Sequence, residues 1–105
     1  MRNTEKSGST PEIRHEWAQS VALQAVAFIV ADEEARGGLL RMTGISPADL
    51  RHGLEDPGIL GGVLGFLLAN EQRLLTFCKQ AALPPESPAR ALRQLTGGES
   101  DTHFT

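Results

Sequence analysis

Hydrophobic residues recur at three- and four-residue intervals along most of this chain, which is the spacing of one face of an α-helix. The first such segment opens at Thr10-Pro11, where threonine suits the helix cap and proline suits the first helical position. Its apolar side comprises Ile13, Trp17, Val21, Ala25 and Phe28. From Val21 onward the segment is apolar on nearly every side, so we expect its second half to be the central, most buried element.

Further helix starts are marked by residues that cap a helix N-terminus, and helix ends by glycine or proline. The starts are at Asp32, Ser46-Pro47, Asp56-Pro57, Asn70 and Ser87-Pro88, and the ends are at Gly44, Pro84-Pro85 and Gly97-Gly98. Gly37-Gly38 lies inside the second helix, where each glycine costs about 1 kcal/mol relative to alanine. We therefore expect a bend or a break in the second helix.

No segment alternates apolar and polar residues as a strand does. The pattern predicts an all-α fold, a compact single-domain array of five or six short helices over residues 10–97. Residues 1–9 are predicted to be a disordered lead and residues 98–105 a disordered tail. The predicted core comprises Trp17, Val21, Ala25, Phe28, Ile29, Leu40, Leu50, Leu54, Leu60, Leu64, Phe66, Leu67, Leu74, Phe77 and Leu92.

The charged residues argue against a nucleic-acid-binding role. Ten lysines and arginines stand against 13 acidic residues, a net charge of −3. Nucleic-acid-binding proteins gather basic side chains on one face, because neutralising phosphates drives their affinity. Here only Arg90 and Arg93 lie one turn apart, on the last helix, so weak nucleic-acid binding through these two residues is kept only as an alternative.

The expected location is the cytoplasm, without membrane contact. Cys78 is the only cysteine, so no internal disulfide can form, which favours a reducing compartment. The polar start of the chain does not resemble a signal peptide. The longest apolar stretches, Val21–Ala31 and Ile59–Ala69, have 11 residues each, whereas a membrane span needs about 20.

No residues converge in the pattern of a catalytic, cofactor-binding or metal site, and none of these is expected. The stretch from His15 to Gln19 comes close to a helical zinc-protease motif but lacks the second histidine. Cys78 follows Phe77 on an apolar helix face, which is typical of packing rather than of a nucleophile. His52 lies near Glu55 and Asp56, so a small enzyme using His52 with either of these acids is a second alternative.

Four glycines in the fourth helix are the most unusual feature of the sequence. Gly58, Gly61, Gly62 and Gly65 alternate with large apolar residues, at spacings that line one side of the helix. Such a side lets another helix backbone approach closely. Internal packing against the first helix is one interpretation, and a groove or dimer face is the other. These four residues are therefore the candidate protein-binding face.

The run of apolar residues and caps resembles a small all-helical proteobacterial family of unknown function, domain of unknown function 3572, over about residues 16–97. The segments that carry the resemblance are 22–29 followed by Asp32, 39–51, 57–60 and 63–68. The chain departs from the family pattern at 15–17 and at the prolines of 84–88. The resemblance implies a short, helical, cytoplasmic protein. It implies no activity and no functional residue.

These observations favour a non-catalytic protein-interaction or regulatory module. The expected partner is another protein, with a second copy of the chain as an alternative partner. The interaction is expected through the glycine-lined side of the fourth helix.

If that side is the binding face, Gly62→Leu should abolish partner binding while the monomer stays folded, because a leucine would fill the space that glycine leaves. Affinity pull-down from lysate of the protein's own source, together with circular dichroism, measures both properties. Normal binding by the variant would exclude the face.

Overall fold

The computed structural model describes residues 11–97, so the predicted lead and tail lie outside the described residues. Within this range the chain forms six α-helices and no strand, which confirms the predicted all-α fold. The helices are α1 (Pro11–Val30), α2 (Glu33–Thr43), α3 (Pro47–His52), α4 (Pro57–Leu68), α5 (Glu71–Ala81) and α6 (Ser87–Thr96).

Side-chain caps begin four of these helices where the sequence predicts them. The Glu34 N–H donates to Asp32 Oδ1 at 3.2 Å, and the Arg73 N–H donates to Asn70 Oδ1 at 2.9 Å. Ser46 and Asp56 cap α3 and α4 in the same way. Each cap satisfies an N–H group that has no partner inside its own helix, so the caps fix where the chain turns.

Helix α4 is the central element of the fold. It packs against α1, α2, α5 and α6. Six of its twelve residues are buried: Leu60, Gly61, Val63, Leu64, Phe66 and Leu67. The expectation that the second half of α1 would be the most buried element is wrong, because Leu23 and Val30 of α1 are exposed.

Helix α1 buries one side, made largely of small residues, against α4 and α6. The buried positions are Ala18, Val21, Ala22, Ala25 and Ile29. This side is rotated away from Trp17, which is 38% exposed, so the prediction of Trp17 as a core residue is wrong. Alanines let the neighbouring helices approach closely, and a bulky indole on the same side would hold them apart.

The prediction of two other residues, Leu40 and Leu54, as core residues is also wrong. Leu40 is 46% exposed because α2 uses Ala35 and Leu39 for its buried side, and Leu54 is 38% exposed because it follows the end of α3. Phe28, Leu74 and Leu92 are only partly buried but pack against the core. The remaining predictions are confirmed as buried: Val21, Ala25, Ile29, Leu50, Leu60, Leu64, Phe66, Leu67 and Phe77.

The expected bend at Gly37-Gly38 is absent, since α2 runs unbroken through both glycines. The ring of Phe66 explains why glycine is present: a Cβ on Gly38 would lie 3.1 Å from Phe66 Cζ. The Arg73 guanidinium carbon lies 4.8 Å from the centre of the same ring, a cation–π contact. The close packing of α4 on the α2 backbone offsets the low helix propensity of glycine.

Two glycine-to-alanine variants should have opposite effects on stability. A Cβ on Gly53 would lie 2.7 Å from Ile59 Cγ1 and 2.8 Å from the Asp49 carbonyl oxygen, so Gly53→Ala should destabilise the fold by about 1–3 kcal/mol. A Cβ on Gly65 has no neighbour within 4 Å, so Gly65→Ala should stabilise α4 by about 0.5–1 kcal/mol. Urea unfolding of both variants measures the two changes, and equal effects would contradict this packing.

Candidate functional site

A small apolar cleft lies where the C-terminal end of α1 meets α2 and α3. Its volume is about 180 Å³. Seven of its nine lining residues are apolar, and the other two are arginines. The lining residues are Val26, Val30, Arg36, Leu39, Ile45, Pro47, Leu50, Arg51 and Leu54.

The loop between α2 and α3 places Ile45 in the wall of this cleft. Gly44 ends α2 in the left-handed conformation, with φ of 81°, and donates its N–H to the Leu40 carbonyl at 2.8 Å. The Thr43 hydroxyl donates to the Leu39 carbonyl at 2.7 Å and accepts from the Ile45 N–H at 3.1 Å. These bonds fix the backbone on both sides of the turn, so Ile45 is held in one position.

A capping box at the start of α3 positions the opposite wall. The Asp49 N–H donates to Ser46 Oγ at 3.1 Å, and the Ser46 N–H donates to Asp49 Oδ2 at 2.9 Å. The hydrogen bond from the Ser46 backbone holds the pKa of the Asp49 carboxyl below its ordinary value, with further contributions from the Ser46 side chain and from His52. Helix α3 has six residues, and this box fixes the direction in which Leu50 and Arg51 project.

The two arginines make the cleft an apolar surface with positive charge in its lining. Arg36 donates from Nη1 to the carbonyl of Val30, the last residue of α1, and so ties α2 to the end of α1. Arg51 is exposed, and among the described residues the structure gives it no hydrogen-bond or ion-pair partner. Both guanidinium groups keep donors that can reach a carboxylate.

Three aspartates that are close in sequence to the cleft-lining residues form hydrogen bonds at helix N-termini. Asp32 and Asp56 accept N–H groups from the first turns of α2 and α4, and Asp49, in the first turn of α3, accepts the N–H of Ser46 just before that helix. The positive end of each helix macrodipole offsets part of the carboxylate charge. Neither Arg36 nor Arg51 is paired with any of these acids, so the arginines remain the charged groups of the cleft lining.

The four candidate glycines have different environments along α4. A Cβ on Gly61 would contact Leu92 and Thr96 of α6, and a Cβ on Gly62 would lie 2.7 Å from Ile45 Cδ1. Gly58 is exposed beside Asp56, and Gly65 has no heavy atom within 4 Å of an added Cβ. Of the four glycines, only Gly62 lies where an added Cβ would clash, whereas a Cβ on Gly61 would make ordinary van der Waals contact and Gly65 faces open space.

Because Gly62 touches Ile45, the Gly62→Leu variant would disturb the core and the cleft wall together. Loss of binding in that variant would therefore not identify the glycine side as the binding face. Gly65→Leu is the sharper test of that side, since a Cβ there has no neighbour within 4 Å. An interaction through the glycine side stays a prediction.

The residues of the two alternative functions lie at the surface. His52 is exposed, and its Nδ1 lies 3.1 Å from the Ala48 carbonyl oxygen of its own helix. Glu55 and Asp56 are also exposed, and Asp56 Oδ1 accepts the Gly58 N–H at 2.9 Å. Arg90 and Arg93 are exposed on α6. The structure gives no hydrogen bond that joins His52 to either acid among the described residues.

Cys78 is buried on α5, and its burial raises the pKa of the thiol, with a smaller contribution from the negative charge of Glu86. Within residues 13–97 no three histidine, cysteine, aspartate or glutamate side chains are grouped as a metal site would require. Over the described part of the chain, no helix combines the length and the hydrophobicity needed to cross a membrane.

The sequence matches a family model over residues 15–98, described as protein of unknown function (DUF3572). The chain belongs to this DUF3572 family. No curated protein and no solved structure matches the chain.

The cleft of this DUF3572 protein was not predicted from the sequence. Arg36 and Arg51 are 15 positions apart, on different helices, and no spacing rule joins them. The sequence contains only a weak indication of the cleft. Val30 and Leu54 are apolar residues at the ends of helical segments, where the polar face and the core face are hard to distinguish. Only the fold brings the ends of α1 and α3 together.

The capping box gives the stability of this DUF3572 protein a defined pH dependence. Folding lowers the pKa of Asp49, so its ionised form contributes stability above the ordinary value of 3.8, and this contribution is lost as the pH falls through the lower folded value. Asp49→Asn cannot ionise, so it should be less stable than the wild type at about pH 6 and approach it below about pH 3.8. Urea unfolding across this range tests the expectation, and a pH-independent difference would contradict it.

Proposed function

We propose that this DUF3572 protein is a non-catalytic protein-interaction module that acts through the cleft between α1, α2 and α3. The proposed partner segment is acidic and amphipathic: one large apolar side chain enters the cleft, and a neighbouring aspartate or glutamate pairs with Arg36 or Arg51. The single observation that carries the proposal is an apolar cleft whose charged lining residues are both arginines.

The size of the cleft favours an anchoring side chain over a small-molecule ligand. Ligand pockets usually enclose about 300–1,000 Å³. The cleft encloses about 180 Å³, whereas a cavity of about 150 Å³ holds one benzene ring. The cleft is therefore large enough for a single leucine or aromatic side chain of a partner. It is too small for a metabolite or a cofactor of ordinary size.

The exposure of the lining supports the same conclusion. Val30 is 41% exposed and Leu54 is 38% exposed, and both line the cleft from helix ends. Burial of such apolar surface contributes about 25 cal/mol per Å². Protein interfaces concentrate their binding energy in one buried apolar anchor surrounded by polar groups, and this is the arrangement that the cleft offers.

The charges of the lining support an acidic partner. A guanidinium group binds a carboxylate through two parallel hydrogen bonds, which gives the contact a direction as well as strength. Arg36 is already oriented by the Val30 carbonyl, so less side-chain freedom is lost when it binds. We place the module in the cytoplasm and expect it to act without a cofactor.

A peptide library displayed on phage and selected against the full chain tests this proposal. The selected peptides should combine an aromatic residue or leucine with aspartate or glutamate within four positions. Leu54→Glu places a negative charge in the cleft and should weaken their binding at least ten-fold, about 1.4 kcal/mol. Arg51→Glu should act in the same direction, and more strongly at low salt.

The matched control is Leu75→Glu, which places the same charge on α5, where the leucine is 45% exposed and lines no part of the cleft. It should leave peptide binding unchanged. Peptides that bind Leu54→Glu as tightly as the wild type would exclude the cleft as the binding site, and selected peptides without acidic residues would contradict the role of the arginines.

A further inference from the structure

We propose that residues 98–105 of this chain bind the cleft in cis, with the Phe104 ring in the apolar space and Glu99 or Asp101 paired with its arginines. This inference rests on the proposed function, because it assigns the chain's own segment to the site that an outside partner would use. The segment follows directly after α6 and lies outside the described residues.

The composition of this segment matches the chemistry of the cleft. Phe104 is its large apolar residue, and Asp101 precedes it by three positions. Glu99 supplies a second carboxylate, and no lysine or arginine occurs in 98–105. Residues 1–10 offer the opposite chemistry, since their charged residues include Arg2 and Lys6 and their only large apolar residue is Met1. Charge complementarity therefore selects the segment after α6.

The straight-line distance from the end of α6 to the cleft is short. Thr96 Cγ2 lies 3.6 Å from the Cβ position of Gly61, and Ile45 Cδ1 lies 2.7 Å from that of the next residue, Gly62. Adjacent Cα atoms are 3.8 Å apart, so Thr96 and the cleft residue Ile45 lie within roughly 15 Å of each other. The seven Cα–Cα steps from Gly97 to Phe104 span about 23–25 Å when extended, which exceeds that distance.

Helix α6 ends at a left-handed glycine, Gly97. Gly97 adopts the left-handed conformation with φ of 74°, and its N–H donates to the Arg93 carbonyl. A glycine in this conformation ends the helix and redirects the chain away from the helix axis.

The cleft accommodates one phenyl ring, since its volume of about 180 Å³ is slightly larger than the cavity of about 150 Å³ that holds benzene. A tethered segment has an effective concentration in the millimolar range when its length matches the span. A contact whose dissociation constant is also in the millimolar range is then about half occupied. An outside partner must displace this segment, which makes the partner's apparent affinity depend on it.

Nuclear magnetic resonance of the full, isotope-labelled chain tests the inference directly. Nuclear Overhauser contacts should join the Phe104 ring to methyl groups of Val30, Ile45, Leu50 and Leu54. Phe104→Ala should remove these contacts and shift the same methyl resonances, while Val63 and Leu64, both fully buried on α4, keep theirs. Thr102→Ala is the matched control, because it removes neither the ring nor a charge.

Unchanged cleft methyl resonances in Phe104→Ala would overturn the inference. A sample that mixes labelled and unlabelled chains shows whether the Phe104 ring in the cleft comes from the same chain or from a second copy. Contacts between differently labelled molecules would show that the segment of a second copy occupies the cleft, and would overturn binding in cis.

The two proposals fail in distinguishable ways. If Phe104→Ala leaves the methyl resonances unchanged but selected peptides still depend on Leu54, the module stands and the segment of 98–105 does not bind. If the Phe104 contacts are present but no selected peptide depends on Leu54, the internal contact stands and the outside partner is excluded. If both proposals hold, Phe104→Ala should raise the affinity for the selected peptides several-fold.

Discussion

Helix α4 must bury its large apolar residues, and this requirement determines where its four neighbouring helices lie. Six of its twelve residues are buried, whereas Gly58 is exposed and Gly65 faces open space. Glycine leaves room for a neighbour at Gly62, where an added Cβ would lie 2.7 Å from Ile45 Cδ1. A Cβ on Gly61 would make only ordinary van der Waals contact with Leu92 and Thr96 of α6. The low helix propensity of these glycines is offset by burial of the apolar residues between them.

The cleft is a consequence of the same packing. Ile45 packs against Gly62 and also lines the cleft, so the core and the candidate binding site share a residue. The turn at Thr43 and Gly44 and the capping box of α3 hold the two walls. A site built on fixed helix ends and a hydrogen-bonded turn is already organised before a partner arrives, which limits the entropy lost on binding.

The charge of the cleft depends on the nearby aspartates, whose carboxylates are hydrogen-bonded at helix N-termini. Three aspartates that lie close in sequence accept hydrogen bonds at helix N-termini, and the helix macrodipoles offset part of their charge there. Arg36 bonds the last carbonyl of α1 in a similar way, whereas Arg51 has no hydrogen-bond or ion-pair partner among the described residues. The chain has a net charge of −3, yet both charged residues of the cleft lining are arginines, so local structure rather than composition sets the chemistry of the site.

The fold class and four helix starts follow from the sequence alone, because caps and helical spacing act between residues that are close along the chain. The predicted cap Ser87 is wrong, since it lies inside α6 and Glu86 before it makes no side-chain cap hydrogen bond. Asp32, Ser46, Asp56 and Asn70 each act within one turn of helix. Only the tertiary structure decided which apolar side of α1 is buried, since both sides are apolar and the choice depends on how closely α4 and α6 can approach. It also decided that Gly37-Gly38 continues a helix and that Arg36 and Arg51 share a cleft, because those outcomes depend on contacts between residues far apart in sequence.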